Sequence, residues 1–185
     1  MDAIRTDPVL SGLIEEHGEL ELVPADDIFA RFVTSIVRQQ LSMESASAIR
    51  ERLFERFEVS PRELRAADVE ALQSVGLSES KATYVRTAAT AFDERGYSRG
   101  SFDGMDDEAV IEELTGIRGV GPWTAKMFLL FCLAREDVFP IEDLGIRKGM
   151  ADLYGIEDRP AMVDRAENWR PHRSYASLYL WRATD

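Results

Sequence analysis

Apolar residues recur at helical spacing along almost the whole chain, and alternation with a period of two, bounded by turn residues, is nearly absent. Ile28, Phe29, Phe32, Val33, Ile36 and Val37 make one such stripe. A period of 3.6 gathers these side chains on one helix face, whereas a strand would send alternate ones to opposite sides. The chain is therefore expected to be all-α. The stripe predicts a helix to about Gln40, broken at Leu41-Ser42, with Ser42 as N-cap of the next helix through Phe57. Pro61 and Asp68 read as further helix starts, Gly76 as a stop, and Ser78 as the N-cap of a helix to about Glu94. Residues 96–104 read as loop. Further helices are expected over 106–114, 122–134, 143–154 with Gly155 as the stop, and 171–183, giving about ten in all.

At 185 residues with 45% apolar content, the chain can bury one sizeable core or two small lobes. Its longest apolar run, residues 127–134, is far short of the ~20 residues of a membrane span. The opening MDAIRTDPVLSG has neither a basic nor an apolar targeting segment, so a cytoplasmic protein without membrane contact is expected. The single cysteine, Cys132, excludes an internal disulfide and a four-cysteine iron–sulfur cluster. Among Phe128, Leu129 and Phe131 it reads as a small core residue.

A net charge of −12 weighs against a polyanionic partner, because Lys and Arg usually supply most of the affinity for phosphate. The charge is uneven, however. Residues 1–34 hold eight acids against two bases and residues 99–113 six against one, while residues 114–150 hold five bases (Arg118, Lys126, Arg135, Arg147, Lys148) against four acids. One face can thus be neutral or mildly basic.

That segment contains the most specific motif, LTGIRGVGPWTAK over residues 114–126. Three glycines within six residues, between two helices, permit a tight hairpin and let backbone approach another molecule closely. N–H groups at Gly119, Gly121 and the following helix N-terminus would make an anion site suited to a DNA phosphate, with Pro122 in the first turn of the helix. A mere helix connector is the other reading. Likewise Asp143, twenty residues after Trp123, reads on its own as an N-cap.

The stretch LTGIRGVGPWTAKMFLL resembles the hairpin of the helix-hairpin-helix (HhH-GPD) DNA glycosylase superfamily, and Asp143 in DVFPIEDLGIRKG stands at the spacing of its essential aspartate. RFVTSIVRQQLSMESASAI, GLSESKATYVRTAA and NWRPHRSYASLYLW resemble three further segments of its alkylation-repair branch, in the same order. Together they cover about residues 30–181 and are most similar to the 3-methyladenine DNA glycosylase II type, without its additional N-terminal domain. The resemblance implies a two-lobed helical fold with the active site in the cleft between lobes. A central lobe of about 42–134 would carry the hairpin 114–126, and a second lobe would be formed by about 1–41 and 135–185.

It also implies chemistry. Bifunctional members carry a lysine nucleophile where this chain has Trp123, so a monofunctional enzyme is expected, with water as nucleophile and an abasic site as product. Lys126, one turn on, reads as a phosphate contact or a surface charge rather than as a substitute nucleophile. Asp143 would be catalytic, opposing positive charge on the sugar and activating the water, and the N-cap reading is compatible, because a helix N-terminus orients a carboxylate and favours its negative charge. Trp123, Met127 and Trp181 would line the base pocket, where a cationic alkylpurine gains cation–π attraction. Plain core aromatics are the alternative for both tryptophans. Met127 stands where relatives have a tyrosine, and His172 where they have an aromatic; with no second His or Cys near it, His172 carries no metal expectation. Gly119, Gly121, Thr124, Lys126 and Arg118 would bind DNA. Gln40, with Gln39 and Leu41 beside it, would be the wedge filling the gap left by the flipped base; a surface glutamine pair is the other reading. Backbone carbonyls of Thr115, Ile117 and Val120 would hold a monovalent cation, Na+ or K+, with no other cofactor. The expected partner is double-stranded DNA containing damaged bases, met by a monomer in base excision repair.

Two rival functions remain at this level. A glycosylase for uracil, mismatched or oxidised bases would need more pocket hydrogen bonds, which Gln39 or Arg38 could supply. A non-catalytic DNA-binding module would keep the hairpin and leave Asp143 a cap.

Overall fold

A computed structural model describes residues 2–184. In chain order the α-helices are α1 (Asp2–Arg5), α2 (Pro8–His17), α3 (Ile28–Arg38), α4 (Met43–Arg56), α5 (Pro61–Ala66) and α6 (Val69–Gln73). They continue as α7 (Glu79–Arg95), α8 (Asp107–Thr115), α9 (Pro122–Phe131), α10 (Leu144–Tyr154), α11 (Arg159–Ala166) and α12 (Arg173–Arg182). Short 3-10 turns occupy Arg99–Phe102 and Glu167–Trp169. No strand occurs among the described residues, and no helix there is long and apolar enough to cross a membrane.

The chain divides into two compact units: one covers Ala25–Phe128, the other the chain up to Pro24 and from Leu129 on. The boundaries differ from those expected at 41/42 and 134/135. α3 belongs with the hairpin-bearing unit because its apolar face is sunk in that unit's core: the Phe32 ring lies 5.3 Å from Phe92 and 5.5 Å from Phe128, and Phe29 lies 5.2 Å from Phe92. Phe102 joins Phe128 at 5.0 Å. Each buried ring contributes about 1.5–3 kcal/mol from burial, with more from edge-to-face pairing.

The other unit is organised around a buried carboxylate. Asp7, 6% exposed, caps α2 by accepting from the N–H groups of Val9 (3.0 Å) and Leu10 (3.3 Å). It also accepts from Trp169 Nε1 (2.8 Å), the Tyr154 hydroxyl (3.0 Å) and the Arg165 guanidinium (2.7 Å). Burial alone would push this carboxyl up, but the Trp169, Leu10 and Tyr154 hydrogen bonds and the Arg165 charge together hold it below its ordinary value. Trp169 and Tyr179 are fully buried around α10 and α12.

Most expected helix ends hold. Ser42 and Ser78 accept from the Ser45 and Lys81 N–H groups, and Gly96 and Gly155 close their helices in the left-handed conformation. Others shift. α3 stops at Arg38, because Gln40 takes φ 55°; α9 stops at Phe131, with Ala134 at φ 52°; and α12 begins at Arg173 rather than 171. Residues 99–102 of the expected loop form a 3-10 turn, and α1, α2 and α11 are additional to the expected set.

Candidate active site

Asp143 is the N-cap of α10, as its place before an apolar helical stretch predicts. One oxygen, Oδ1, accepts both the Ile146 N–H (3.1 Å) and the Trp181 indole N–H (2.8 Å). The carboxylate is half-buried, and these two donors fix its orientation. α10 and α12 can deliver the indole only because residue 145 is glycine. A Cβ there would lie 2.9 Å from Trp181 Cδ1 and 3.1 Å from Asp143 Oδ1. Trp181 in turn lies 5.8 Å from Phe131, the planes inclined at 31°.

The segment leading into Asp143 is tied at both ends. The Ser174 hydroxyl accepts from the Val138 N–H (2.9 Å) and donates to the Arg135 carbonyl (2.5 Å). Arg147 reaches back to the carbonyls of Glu142 (2.6 Å) and Ile141 (3.3 Å). Leu144, just past the aspartate, is 72% exposed, unusual for a leucine inside a well-packed unit.

In the other unit the hairpin hangs on three buried apolar anchors, Leu114, Ile117 and Val120, and on bonds from the Ile117 N–H to Leu114 O and the Val120 N–H to Ile117 O, both 3.0 Å. Only one of its three glycines uses positive φ: Gly119, at 91°. A Cβ there would strike the Tyr84 ring at 2.1 Å. Gly116 instead ends α8 in helical geometry, and a Cβ on Gly121 would meet nothing within 4 Å among the described residues. Arg118 is exposed at the tip, Lys126 and Trp123 are half-buried, and Thr124 is buried at 1%. Met127 is 4% exposed and packs as a core side chain.

The helix break shows a division of labour among the expected wedge residues. Gln40 is exposed at positive φ, Leu41 is 40% exposed and Met43 62%. Gln39 departs from the wedge expectation: its Nε2 turns into the hairpin and donates to Gly119 O (3.0 Å) and Thr124 Oγ1 (2.9 Å). Sequence reasoning did not single out Gly145, Phe131, Arg147 or Tyr84. For Gly145 a signal existed, since glycine in the first turn of a helix is unfavourable without a packing reason.

A half-buried helix N-cap aspartate with an indole donor on it and, in the other unit, a glycine hairpin leading into a helix are the features that the helical fold positions. Residues 33–171 match the HhH-GPD superfamily base excision DNA repair protein family, and the chain belongs to it. Among its relatives, YfjP of Bacillus subtilis is 31% identical over 188 residues, covering 95% of this chain and 66% of that one. A 3-methyladenine DNA glycosylase (Mag1) of Schizosaccharomyces pombe, solved with abasic DNA, superposes with a TM-score of 0.89 at 26% identity, covering 99% of this chain and 95% of the other. A DNA-3-methyladenine glycosidase of Bacillus halodurans superposes at 0.80 with 35% identity, covering 98% and 87%.

Proposed function

We infer that the chain is a monofunctional DNA glycosylase that hydrolyses the N-glycosidic bond of alkylated purines, of the 3-methyladenine and 7-methylguanine type, in base excision repair. The observation that carries this reading is the doubly held Asp143 carboxylate, because a preorganised negative charge is what an oxocarbenium-like sugar requires. A purine alkylated at N3 or N7 is already positively charged, so its bond to C1′ is weakened before the enzyme acts. As that bond breaks, its electron pair leaves with the base and neutralises it. Asp143 opposes the charge left on the sugar, and water adds at C1′ while its proton passes to the carboxylate. Trp123 in the place of the family's lysine removes the amine route to strand cleavage.

DNA binding falls to the hairpin, through backbone N–H groups of Gly119 and Gly121 and the start of α9, with Arg118, Thr124 and Lys126 beside them. The hairpin carbonyls of Thr115, Ile117 and Val120 are neutral oxygen donors of the kind that suit Na+ or K+, and one lone pair of Ile117 O is already used by the Val120 N–H. Trp181, beside the carboxylate it donates to, is an aromatic face offered to the cationic base. The protein acts as a monomer.

The test is direct. Wild-type protein incubated with methylated duplex DNA should release free methylpurine and leave an uncut strand. Asp143→Asn should lower that rate by roughly 10² or more, the scale of losing a key charge-stabilising group. Release unaffected by the substitution would overturn the mechanism, and no release alongside tight DNA binding would favour a non-catalytic module.

A further inference from the structure

The amide of Gln39 is engaged at both hydrogens inside the hairpin-bearing unit. Gly119 O can only accept, so the nitrogen end of the amide must face it, and the same nitrogen donates to Thr124 Oγ1. The end of α3 is tied down as well: Lys81 Nζ donates to Val37 O at 2.6 Å, one residue before the helix ends. Directly after these ties Gln40 takes the left-handed region at φ 55°, a strained conformation for a non-glycine residue that persists only when its surroundings impose it. The residue so held is exposed, next to the exposed apolar side chains of Leu41 and Met43.

We propose that Gln39 is a positioning residue, not a wedge: it latches the helix break to the phosphate-gripping hairpin, so that Gln40 is presented to the duplex in one orientation as soon as the hairpin seats. The latch acts on the peptide that follows Gly119. That peptide is pressed by the Tyr84 ring at the Gly119 Cα, held by Val120 N–H to Ile117 O, and fixed at its carbonyl by Gln39. Phosphate binding and wedge insertion thereby become one event, and the ordering cost of the wedge is met before DNA arrives. This rests on the proposed function in taking Gln40 as the wedge and the hairpin as the phosphate contact.

The test uses a duplex with a tetrahydrofuran abasic-site analogue flanked by 2-aminopurine, so that wedge insertion is read by fluorescence and needs no catalysis. Gln39→Met keeps the size of the side chain and removes both donors. At saturating protein it should lose most of the fluorescence change seen with wild type, as Gln40→Ala does. Binding to undamaged duplex should stay within about twofold, and kcat/KM on methylated duplex should fall about tenfold, the scale of two neutral hydrogen bonds. The double variant should be no worse than Gln40→Ala alone, since a residue acting through another is non-additive with it. If Gln39→Met fails to fold, Gln39→Glu keeps the shape of the side chain, removes both donors and should give the same loss of fluorescence change with binding to undamaged duplex again within about twofold. A full fluorescence change in the folded single variant, multiplicative losses in the double variant, or a matching loss on undamaged duplex would each overturn the latch. Absence of methylpurine release by wild type, with the fluorescence pattern intact, would overturn the glycosylase reading and leave the latch standing.

Discussion

A methyl group at position 145 would sit within 2.9 Å of Trp181 and 3.1 Å of the Asp143 oxygen that accepts the indole N–H. Gly145→Ala is therefore expected to push the indole and the carboxylate apart while improving the intrinsic helix preference of α10 by about 0.5–1 kcal/mol. The two effects separate in measurement: kcat on methylated duplex should fall at least about tenfold, and the melting temperature should hold or rise. A fall in both together would mean that the contact is structural and not part of the site. Asp143 was legible in the sequence both as a cap and by its spacing from Trp123. Its partner and the glycine that admits that partner were not, because Trp181 lies 38 residues further on and only packing brings it back.

Among the elements, the hairpin is the one whose backbone leaves least latitude. Gly119 combines φ 91° with a Tyr84 ring where its Cβ would be, so Gly119→Ala should cost about 2–3 kcal/mol. For a chain of this length that is roughly 4–12 °C in melting temperature. Adding Tyr84→Ala should recover the steric share and leave the conformational one; no recovery would show that the ring is not the obstacle. Helix starts were largely readable, since Ser42, Ser78 and Asp143 each act through an N–H within three residues. Ends were less so. α3 and α9 stop short where Gln40 and Ala134 enter the left-handed region, and neither residue type announces it. Gln39 was legible as part of a break but not as turned inward, because its acceptors lie 80 and 85 residues away.

For the molecule as a whole, the carboxylate of Asp7 joins the two ends of the sequence, with α2 on one side and Trp169 and Arg165 on the other. Its folded-state value lies below the ordinary one of 3.8, so folding favours the ionised form. The stabilisation is therefore complete above that value and is lost as pH falls through the folded value. Urea unfolding should show stability declining below about pH 4, and Asp7→Asn should remove part of that decline while costing about 3 kcal/mol at neutral pH, as expected when one member of a buried charge network is removed. An unchanged acid profile in the variant would assign the decline to other carboxylates. No local pattern marked Asp7 out, since its partners Tyr154, Arg165 and Trp169 are 147 to 162 residues distant. Gly121 is the converse case. Nothing in the described protein fills the space where its side chain would be, and its φ is not positive, so folding alone sets no requirement for glycine there. Gly121→Ala should raise thermal stability by about 0.4–1 kcal/mol through a less disordered unfolded chain, and should weaken binding to duplex DNA. A variant that gains stability and keeps its affinity would remove the reason for glycine. Otherwise the residue marks a place where tolerance to heat has been given up for contact with another molecule, and thermostability screens run without DNA would select against the function.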